Sequence, residues 1–196
     1  MEKFYRVKPE VRILGFDDGP FKRSDKDVLV VGVVYRGGSF LDGVVSTKVN
    51  VDGLDATRKL VTLVKKTRFK DVRVIMLDGL AFGGFNMVDM EALHEKTQLP
   101  VIAVTRDMPD FAKISKALDH LPNKKKRWRC IEKAGEPVAV ATKPGRRIYM
   151  QYSGLRQEDA AAIVRLSATH SLLPEPIRVA HLVAQGIVLG ESKGKA

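Results

Sequence analysis

The sequence has little cysteine, little tryptophan and no long apolar run. Its 196 residues include one cysteine, Cys130, and one tryptophan. A single cysteine excludes an internal disulfide and a thiolate metal cage, so nothing in the sequence indicates an oxidising compartment. No apolar run reaches the roughly 20 residues that a membrane-spanning helix needs, and residues 1–10 carry charges where a signal peptide has its apolar core. We therefore expect a cytoplasmic protein that does not contact membranes.

Acidic residues are also scarce relative to basic ones. The chain has 23 Asp and Glu against 34 Lys and Arg, which gives a net charge of +11. A charge of this sign and size attracts phosphate-bearing partners, so DNA or RNA is the first candidate, although basic residues also serve solubility. With 44% hydrophobic residues, the chain is long enough to bury one sizeable core. We predict a single domain over residues 1–196, with an N-terminal arm over 1–10 and a flexible tail over 191–196.

The order of apolar runs and turns predicts an α/β fold with a mixed sheet. Three strands joined by short turns come first, two helix–strand repeats follow, and a hairpin and further helices complete the chain. A three-strand antiparallel meander followed by parallel strands with crossover helices is the order of a ribonuclease H-like sheet. The predicted strands cover residues 11–16, 27–35, 39–51, 72–77, 101–105, 138–141 and 147–152, and the predicted helices cover 55–66, 87–97, 110–118, 157–171 and from 174 or 176 to 189.

Two aspartates leave apolar strands at their carboxyl ends. Asp17 follows the run 12–16 and Asp78 follows the run 72–77, and each precedes a glycine by one or two residues. These strands are predicted to lie side by side at the centre of the sheet, so that both carboxylates reach one divalent cation, Mg²⁺ or Mn²⁺. Aspartate before glycine is also an ordinary turn signal, and either aspartate alone has that structural explanation.

A third acid is expected at the entrance of the first helix, where Asp52 and Asp55 lie. Asp55 has a competing explanation, because its residue type and position are those of a helix N-cap, worth roughly 1 kcal/mol. Asp52 precedes a glycine, so a turn role explains it equally well. Asp18 is interpreted as a turn acid or as a neighbour that supports the site.

A dense basic segment is a candidate for nucleic-acid binding. Five charges surround one indole in the run Lys124, Lys125, Lys126, Arg127, Trp128 and Arg129. Such a segment can bind a phosphate backbone through its cations, and its indole ring can stack on a base. It is equally well explained as an exposed loop in which Trp128 starts a strand and packs on the core, and both interpretations stay open.

Residues 173–181 bring a guanidinium and an imidazole onto one helix face. Pro176 and Glu175 suit the first turn of a helix. Arg178 and His181 lie three residues apart, so both side chains can meet a phosphate or a water at the metal. The competing interpretation of His181 is an ordinary histidine on a helix.

Four of these segments together resemble the endonuclease V superfamily. Residues 14–17 resemble the Gly-x-Asp that ends the family's first strand, and residues 76–79 resemble its Val-Asp-Gly. Residues 100–106 resemble Pro-x-Ile-Gly-Val-x-Lys, and residues 173–181 resemble Leu-Pro-x-Pro-x-Arg-x-Ala-His. The order and approximate spacing of the motifs hold over most of the chain. The sequence is more similar to a basic branch of the superfamily than to endonuclease V proper.

The resemblance implies a ribonuclease H-like fold and a Mg²⁺-dependent endonuclease of DNA repair, with Mn²⁺ as an alternative ion. The enzyme would cut a phosphodiester near hypoxanthine or uracil in DNA or RNA. Asp17 and Asp78 would be metal ligands, and Asp55 would stand where the family has a helix-start Glu. His181 would assist at the water or the phosphate. Arg106 would replace a Lys that contacts the scissile phosphate, which preserves the charge but changes its geometry.

Two departures from the family pattern lead to a rival hypothesis. The family's Tyr-x-Pro-Gly wedge, which separates strands beside the lesion, has no counterpart in residues 46–51, and Asp55 is one methylene shorter than Glu. The leading hypothesis is a nuclease whose catalytic residues are Asp17, Asp78, Asp55 and His181. The rival is a non-catalytic module of the same fold that binds nucleic acid through its basic face.

Overall fold

The computed structural model describes residues 7–193 and contains a seven-stranded mixed sheet and a separate two-stranded ribbon. The strands are β1 (Arg12–Asp18), β2 (Asp27–Arg36), β3 (Phe40–Asn50), β4 (Val74–Asp78), β5 (Ala81–Phe82), β6 (Asn86–Met87), β7 (Val101–Thr105), β8 (Val138–Lys143) and β9 (Arg146–Ser153). The helices are α1 (Ala56–Lys66), α2 (Met90–Thr97), α3 (Phe111–Leu118), α4 (Lys124–Ala134), α5 (Gln157–Ser167) and α6 (Glu175–Leu189).

The strand order of the main sheet is β3-β2-β1-β4-β7-β9-β8. The first three strands pair antiparallel, as the short turns between them require. Strand β4 pairs parallel with β1, and β7 pairs parallel with β4, with α1 and α2 in the connections. The hairpin β8–β9 adds to β7 in antiparallel orientation. This order confirms the predicted ribonuclease H-like sheet, with β1 and β4 adjacent at its centre.

Helices bury the apolar side chains of both sheet faces. On one face, Leu60 of α1 and Leu93 of α2 pack with Phe16 and Leu77 in one buried cluster. On the other face, α5 and the start of α6 pack against β1, β4 and the hairpin, and Ile163 and Ile177 lie in that cluster. Strands β1 and β4 are therefore apolar on both sides until their last residues, which are the aspartates.

The structure corrects three predictions of secondary structure. The helix predicted over residues 157–171 ends at Ser167. Residues 124–134 form helix α4, so the basic segment is neither an exposed loop nor the start of a strand. The helix predicted from residue 87 begins at Met90 instead, because Asp89 caps it by accepting a hydrogen bond from the Ala92 amide. The residues before Asp89 pair as the ribbon β5–β6.

The ends of the chain are described in part. The arm predicted over residues 1–10 and the tail predicted over 191–196 extend into residues 1–6 and 194–196, which lie outside the described residues. Val7 packs against the cluster formed with α5. Between residues 7 and 193, no helix combines the length and the apolar character needed to cross a membrane.

Candidate active site at the carboxyl ends of the central strands

Asp17 and Asp78 line one cavity at the edge of the sheet. The parallel register that pairs Phe16 with Leu77 brings the two aspartates that follow side by side. The cavity has a volume of about 490 Å³, and Asp18, Phe21 and His181 also line it. The predicted meeting of the two strand-end acids is therefore what the structure shows.

Helix α6 brings His181 to this cavity by packing directly on β1. Gly15 makes the close approach possible, because a Cβ there would lie 2.5 Å from atoms of Pro176. His181 lies later on the same helix, and its Nδ1 is 2.7 Å from Oδ2 of Asp17. An ionised carboxylate only accepts hydrogen bonds, so Nδ1 donates to Asp17. That hydrogen bond is the main cause that raises the pKa of His181, although burial opposes it.

The second ring nitrogen of His181 has no partner. Among the buried side-chain nitrogen and oxygen atoms of residues 7–193, Nε2 of His181 is the one that makes no hydrogen bond. A buried polar atom without a partner costs free energy, so such atoms are uncommon outside sites that bind something. Because Asp17 fixes the ring through Nδ1, Nε2 is held ready for a ligand or substrate atom.

Two acids of the cavity lie in surroundings that disfavour their ionised forms. Burial, reinforced by the charge of Asp17, raises the pKa of Asp78 to about 7, against partial compensation by His181 and Arg106. Burial also raises the pKa of Asp18 to about 6, although the Gly83 amide opposes it. A site of this kind favours binding of a cation.

The residues fit a hard divalent cation in donor type and charge. Carboxylate oxygens are the ligands that Mg²⁺ and Mn²⁺ prefer. Within residues 7–193, no group of three or more His, Cys, Asp or Glu side chains is arranged so that it alone could hold a metal ion. Mg²⁺ commonly uses one or two carboxylates and takes its other ligands from water and substrate phosphate. Asp17 and Asp78 match that arrangement.

Asp55 lies elsewhere. Its Oδ1 accepts hydrogen bonds from Nδ2 of Asn86 at 2.7 Å and from the Asn50 amide at 3.1 Å. Its Oδ2 lies 3.8 Å from the Arg58 guanidinium. Asp55 is not among the residues that line the cavity with Asp17, and its role as a metal ligand stays a prediction.

The two arginines predicted to contact phosphate differ in position. Arg106 directly follows β7, and its charge acts on Asp78, so it lies beside the cavity. Arg178 forms a bidentate ion pair with Glu175, which is buried, and it does not line the cavity. The contacts of both arginines with nucleic acid remain predictions.

The basic segment splits into an exposed face and a buried face because it is helical. Lys125, Lys126 and Arg129 are exposed on α4, and Lys124 pairs with Asp119 at 2.6 Å. Trp128 is partly buried in the apolar cluster that joins α3, α4 and β6. The three exposed cations remain candidates for phosphate contacts.

Arg127 corrects the prediction for this segment. Its side chain is only 1% exposed, so it does not reach nucleic acid. Its guanidinium donates to the carbonyl oxygens of Pro122, Gly53, Asp52 and Phe85. Arg127 thus ties α4 to the turn before α1 and to the ribbon β5–β6. Sequence reasoning missed this role, although the apolar residues four and seven positions later in α4 mark the same buried helix face.

A second, smaller cavity opens beside Asp78. It has a volume of about 220 Å³, begins at Gly79 and Leu80, and is lined mostly by apolar side chains. Phe85 and Phe111 contribute aromatic rings, and Gln151 contributes an amide. An apolar cavity with a few polar groups is the usual form of a site that binds a small molecule.

Comparison with known proteins gives a consistent result for sequence and fold. The model of the endonuclease dU family matches residues 9–188. A UPF0215 protein of Methanothermobacter thermautotrophicus is 52% identical over 196 residues, covering 98% of this chain and 95% of the relative. A solved protein of unknown function from Archaeoglobus fulgidus is 37% identical, with a TM-score of 0.81, and the match covers 90% of this chain and 98% of that one. Endonuclease V of Ciona intestinalis, solved with a 24mer DNA that contains an inosine followed by a ribo-adenosine, is 20% identical with a TM-score of 0.57, over 86% of this chain and 82% of its own.

The sheet order and the likeness to solved endonuclease V show a ribonuclease H-like fold of the endonuclease V type. Within that class, the chain belongs to the endonuclease dU family.

Proposed function

We propose that the protein is a Mg²⁺-dependent endonuclease that hydrolyses a phosphodiester near a deaminated base, uracil or hypoxanthine, in DNA or RNA. The observation that carries the proposal is the convergence of Asp17, Asp78 and His181 on one cavity at the carboxyl ends of β1 and β4. Membership of the endonuclease dU family supports nuclease chemistry at this site.

Asp17 and Asp78 would hold the cation, with Mn²⁺ as an alternative ion. When bound, a divalent cation neutralises charge on the phosphate, polarises it and makes water a stronger nucleophile. Asp17 has a second task, because it orients the imidazole of His181. A carboxylate has about four lone-pair sites, so the hydrogen bond to His181 leaves others for a cation.

His181 would act on the substrate through Nε2. The hydrogen bond to Asp17 raises the pKa of His181 and so favours its protonated form. Both ring nitrogens of a protonated imidazole donate, so Nε2 can donate to a phosphate oxygen or protonate the departing oxygen. Arg106, at the end of β7, would add positive charge beside the scissile phosphate.

The apolar cavity that begins at Gly79 supports recognition of a single base near the bond that is cut. It adjoins Asp78 along the chain, and its aromatic rings offer stacking surfaces. The family description names dU, and the Ciona intestinalis enzyme was solved with inosine-containing DNA. Both bases therefore belong in the test.

The test uses end-labelled oligonucleotides that contain one deoxyuridine, one inosine or neither, in Mg²⁺ and in EDTA. We expect Mg²⁺-dependent cleavage of at least one modified strand by the wild type, and a rate lower by at least about 100-fold in Asp78→Asn. Glu95→Gln, which changes an exposed acid on α2, is the matched control and should cut normally. No cleavage with any divalent ion, or undiminished cleavage by Asp78→Asn, would refute the proposal.

The position of Asp55 outside the cavity favours the second candidate, a module that binds nucleic acid without cutting it. In that case phosphate affinity comes from Lys and Arg, so salt-dependent binding survives Asp17→Ala and no metal-dependent product forms. Cleavage lost in Asp17→Ala while binding persists would decide for the nuclease.

A further inference from the structure

We infer that Asp18, rather than the acid at the start of α1, is the third carboxylate of this site and acts on the cation through the waters that the cation keeps. The inference rests on the proposed function. It differs from the sequence-based prediction, which gave that role to Asp55 and interpreted Asp18 as a turn acid or a supporting neighbour.

The carboxylate of Asp55 is hydrogen-bonded to the structure around it. The buried amide of Asn86 donates to Oδ1 of Asp55, and its oxygen accepts from the Ala56 amide at the start of α1. The Asn50 amide donates to the same oxygen of Asp55. Asp55 therefore joins the end of β3, the start of α1 and the ribbon β5–β6. To face the cation it would have to leave these partners.

Asp18 lies at the cavity itself. It is the last residue of β1 and lines the cavity together with Asp17 and Asp78. Successive side chains of a strand leave opposite faces, so the carboxylates of Asp17 and Asp18 approach the cavity from different sides. Within residues 7–193 no three acids are arranged to hold a metal ion directly, and Mg²⁺ keeps several of its waters in protein sites, so Asp18 would accept hydrogen bonds from those waters.

A specific backbone contact holds Asp18 in place. The amide of Gly83 donates to Oδ2 of Asp18 at 2.6 Å. Gly83 has a φ of +56°, and a Cβ at this position would lie 2.6 Å from Val28, so only glycine fits. One such hydrogen bond leaves lone pairs of the carboxylate available for a cation or its waters.

The segment before α1 supports this contact. The Asp52 amide donates to the Gly83 carbonyl at 2.8 Å, and Asp52 accepts from the Phe85 amide at 2.8 Å. Arg127 holds the Asp52 carbonyl from the other side at 2.6 Å. The turn at the start of α1 thus positions the ribbon that holds Asp18.

The experiment measures Mn²⁺ affinity by isothermal titration calorimetry, without substrate, in wild type, Asp18→Asn, Asp55→Asn and Glu95→Gln. We expect Asp18→Asn to weaken Mn²⁺ binding by at least about tenfold, and the other two to change it by less than about threefold. Thermal unfolding of each variant checks its fold, and Asp18→Ser provides a second neutral replacement if Asp18→Asn is unstable.

Two results would overturn the inference alone: wild-type affinity in both Asp18 variants, or a loss in Asp55→Asn as large as that in Asp18→Asn. Failure of the wild type to bind Mn²⁺ would instead overturn the metal-dependent function together with the inference. Cleavage assays on the same variants separate the two cases further. If the wild type cuts and Asp18→Asn binds Mn²⁺ normally, the proposed nuclease function stands and the role of Asp18 is refuted.

Discussion

Replacing Asp78 by asparagine should stabilise the metal-free protein at alkaline pH. Burial and the neighbouring charge of Asp17 raise the pKa of Asp78 from an ordinary 3.8 to about 7. The unfolded chain therefore loses this proton at lower pH than the folded protein does. The free energy of unfolding of the wild type therefore falls as the pH rises from 3.8 to about 7, and it stays low above about 7. Asparagine keeps the shape of the side chain and removes the charge, so the loss should disappear.

The size of the effect follows from the pKa difference. A shift of about 3 units corresponds to about 4 kcal/mol, at about 1.4 kcal/mol per unit. Relaxation of the site and entry of water reduce this upper limit, so we expect a gain of about 1–3 kcal/mol for Asp78→Asn at pH 8. At pH 5 the gain should be less than half as large, since the folded wild type is then protonated at Asp78.

The measurement is urea denaturation in EDTA at pH 5 and pH 8. Asp89→Asn serves as the control of opposite sign. Burial opposes ionisation of Asp89, but the Ala92 amide and Lys133 outweigh it and lower its pKa, so neutralising it should destabilise the protein at pH 8. Mg²⁺ should stabilise the wild type at pH 8 and have little effect on Asp78→Asn. A less stable Asp78→Asn at pH 8, or an equal gain at both pH values, would refute the reasoning.

Three further predictions test other parts of the molecule. Arg127→Met should lower the free energy of unfolding by about 3–5 kcal/mol, because buried carbonyl oxygens lose their hydrogen-bond donor. Arg129→Met, at an exposed position, should change it by less than about 0.5 kcal/mol. Urea denaturation measures both values. Replacing Lys125, Lys126 and Arg129 by glutamine should lower the slope of log Kd against log salt by about 2 to 3, measured by fluorescence anisotropy. His181→Gln should slow single-turnover cleavage by at least about 100-fold while the Kd for the oligonucleotide changes little. Unchanged values in any of the three would contradict the corresponding role.

The sequence was sufficient to predict the sheet and the central pair of acids. Strands β1, β2 and β4 are continuous apolar runs, as strands covered on both faces must be, and the short turns around β2 leave only antiparallel pairing. Once β1 and β4 are neighbours, Asp17 and Asp78 must meet at the strand ends. His181 was reached through its helix spacing and the family resemblance, and the structure brings it to Asp17.

The interpretations of Asp18, Asp55 and Arg127 depended on contacts between residues far apart in the sequence. Asp18 is held by a glycine 65 residues later, and Arg127 reaches Gly53, 74 residues earlier. Every residue has a backbone carbonyl, so the residue types of the acceptors do not reveal these hydrogen bonds. A buried arginine in a run of cations therefore cannot be distinguished from its exposed neighbours by composition. Asp55 occupies the N-cap position of α1, but its side chain makes no capping hydrogen bond and accepts instead from Asn86 and the Asn50 amide.

In the proposed nuclease, the charges act in opposite directions at two distances, which would give the cation a role in binding as well as in chemistry. The net charge of +11 attracts a polyanion over the whole surface. At short range, the carboxylates of Asp17, Asp18 and Asp78 would repel a phosphate that enters their cavity, and burial, reinforced by the charge of Asp17, raises the pKa values of Asp18 and Asp78. A divalent cation reverses the local sign without altering the surface. In the proposed nuclease, nucleic acid would therefore bind the exposed cations without metal, while the scissile phosphate would reach His181 only when the acids are neutralised. Binding and cleavage should accordingly respond to different substitutions: exposed cations for the first, and cavity acids for the second.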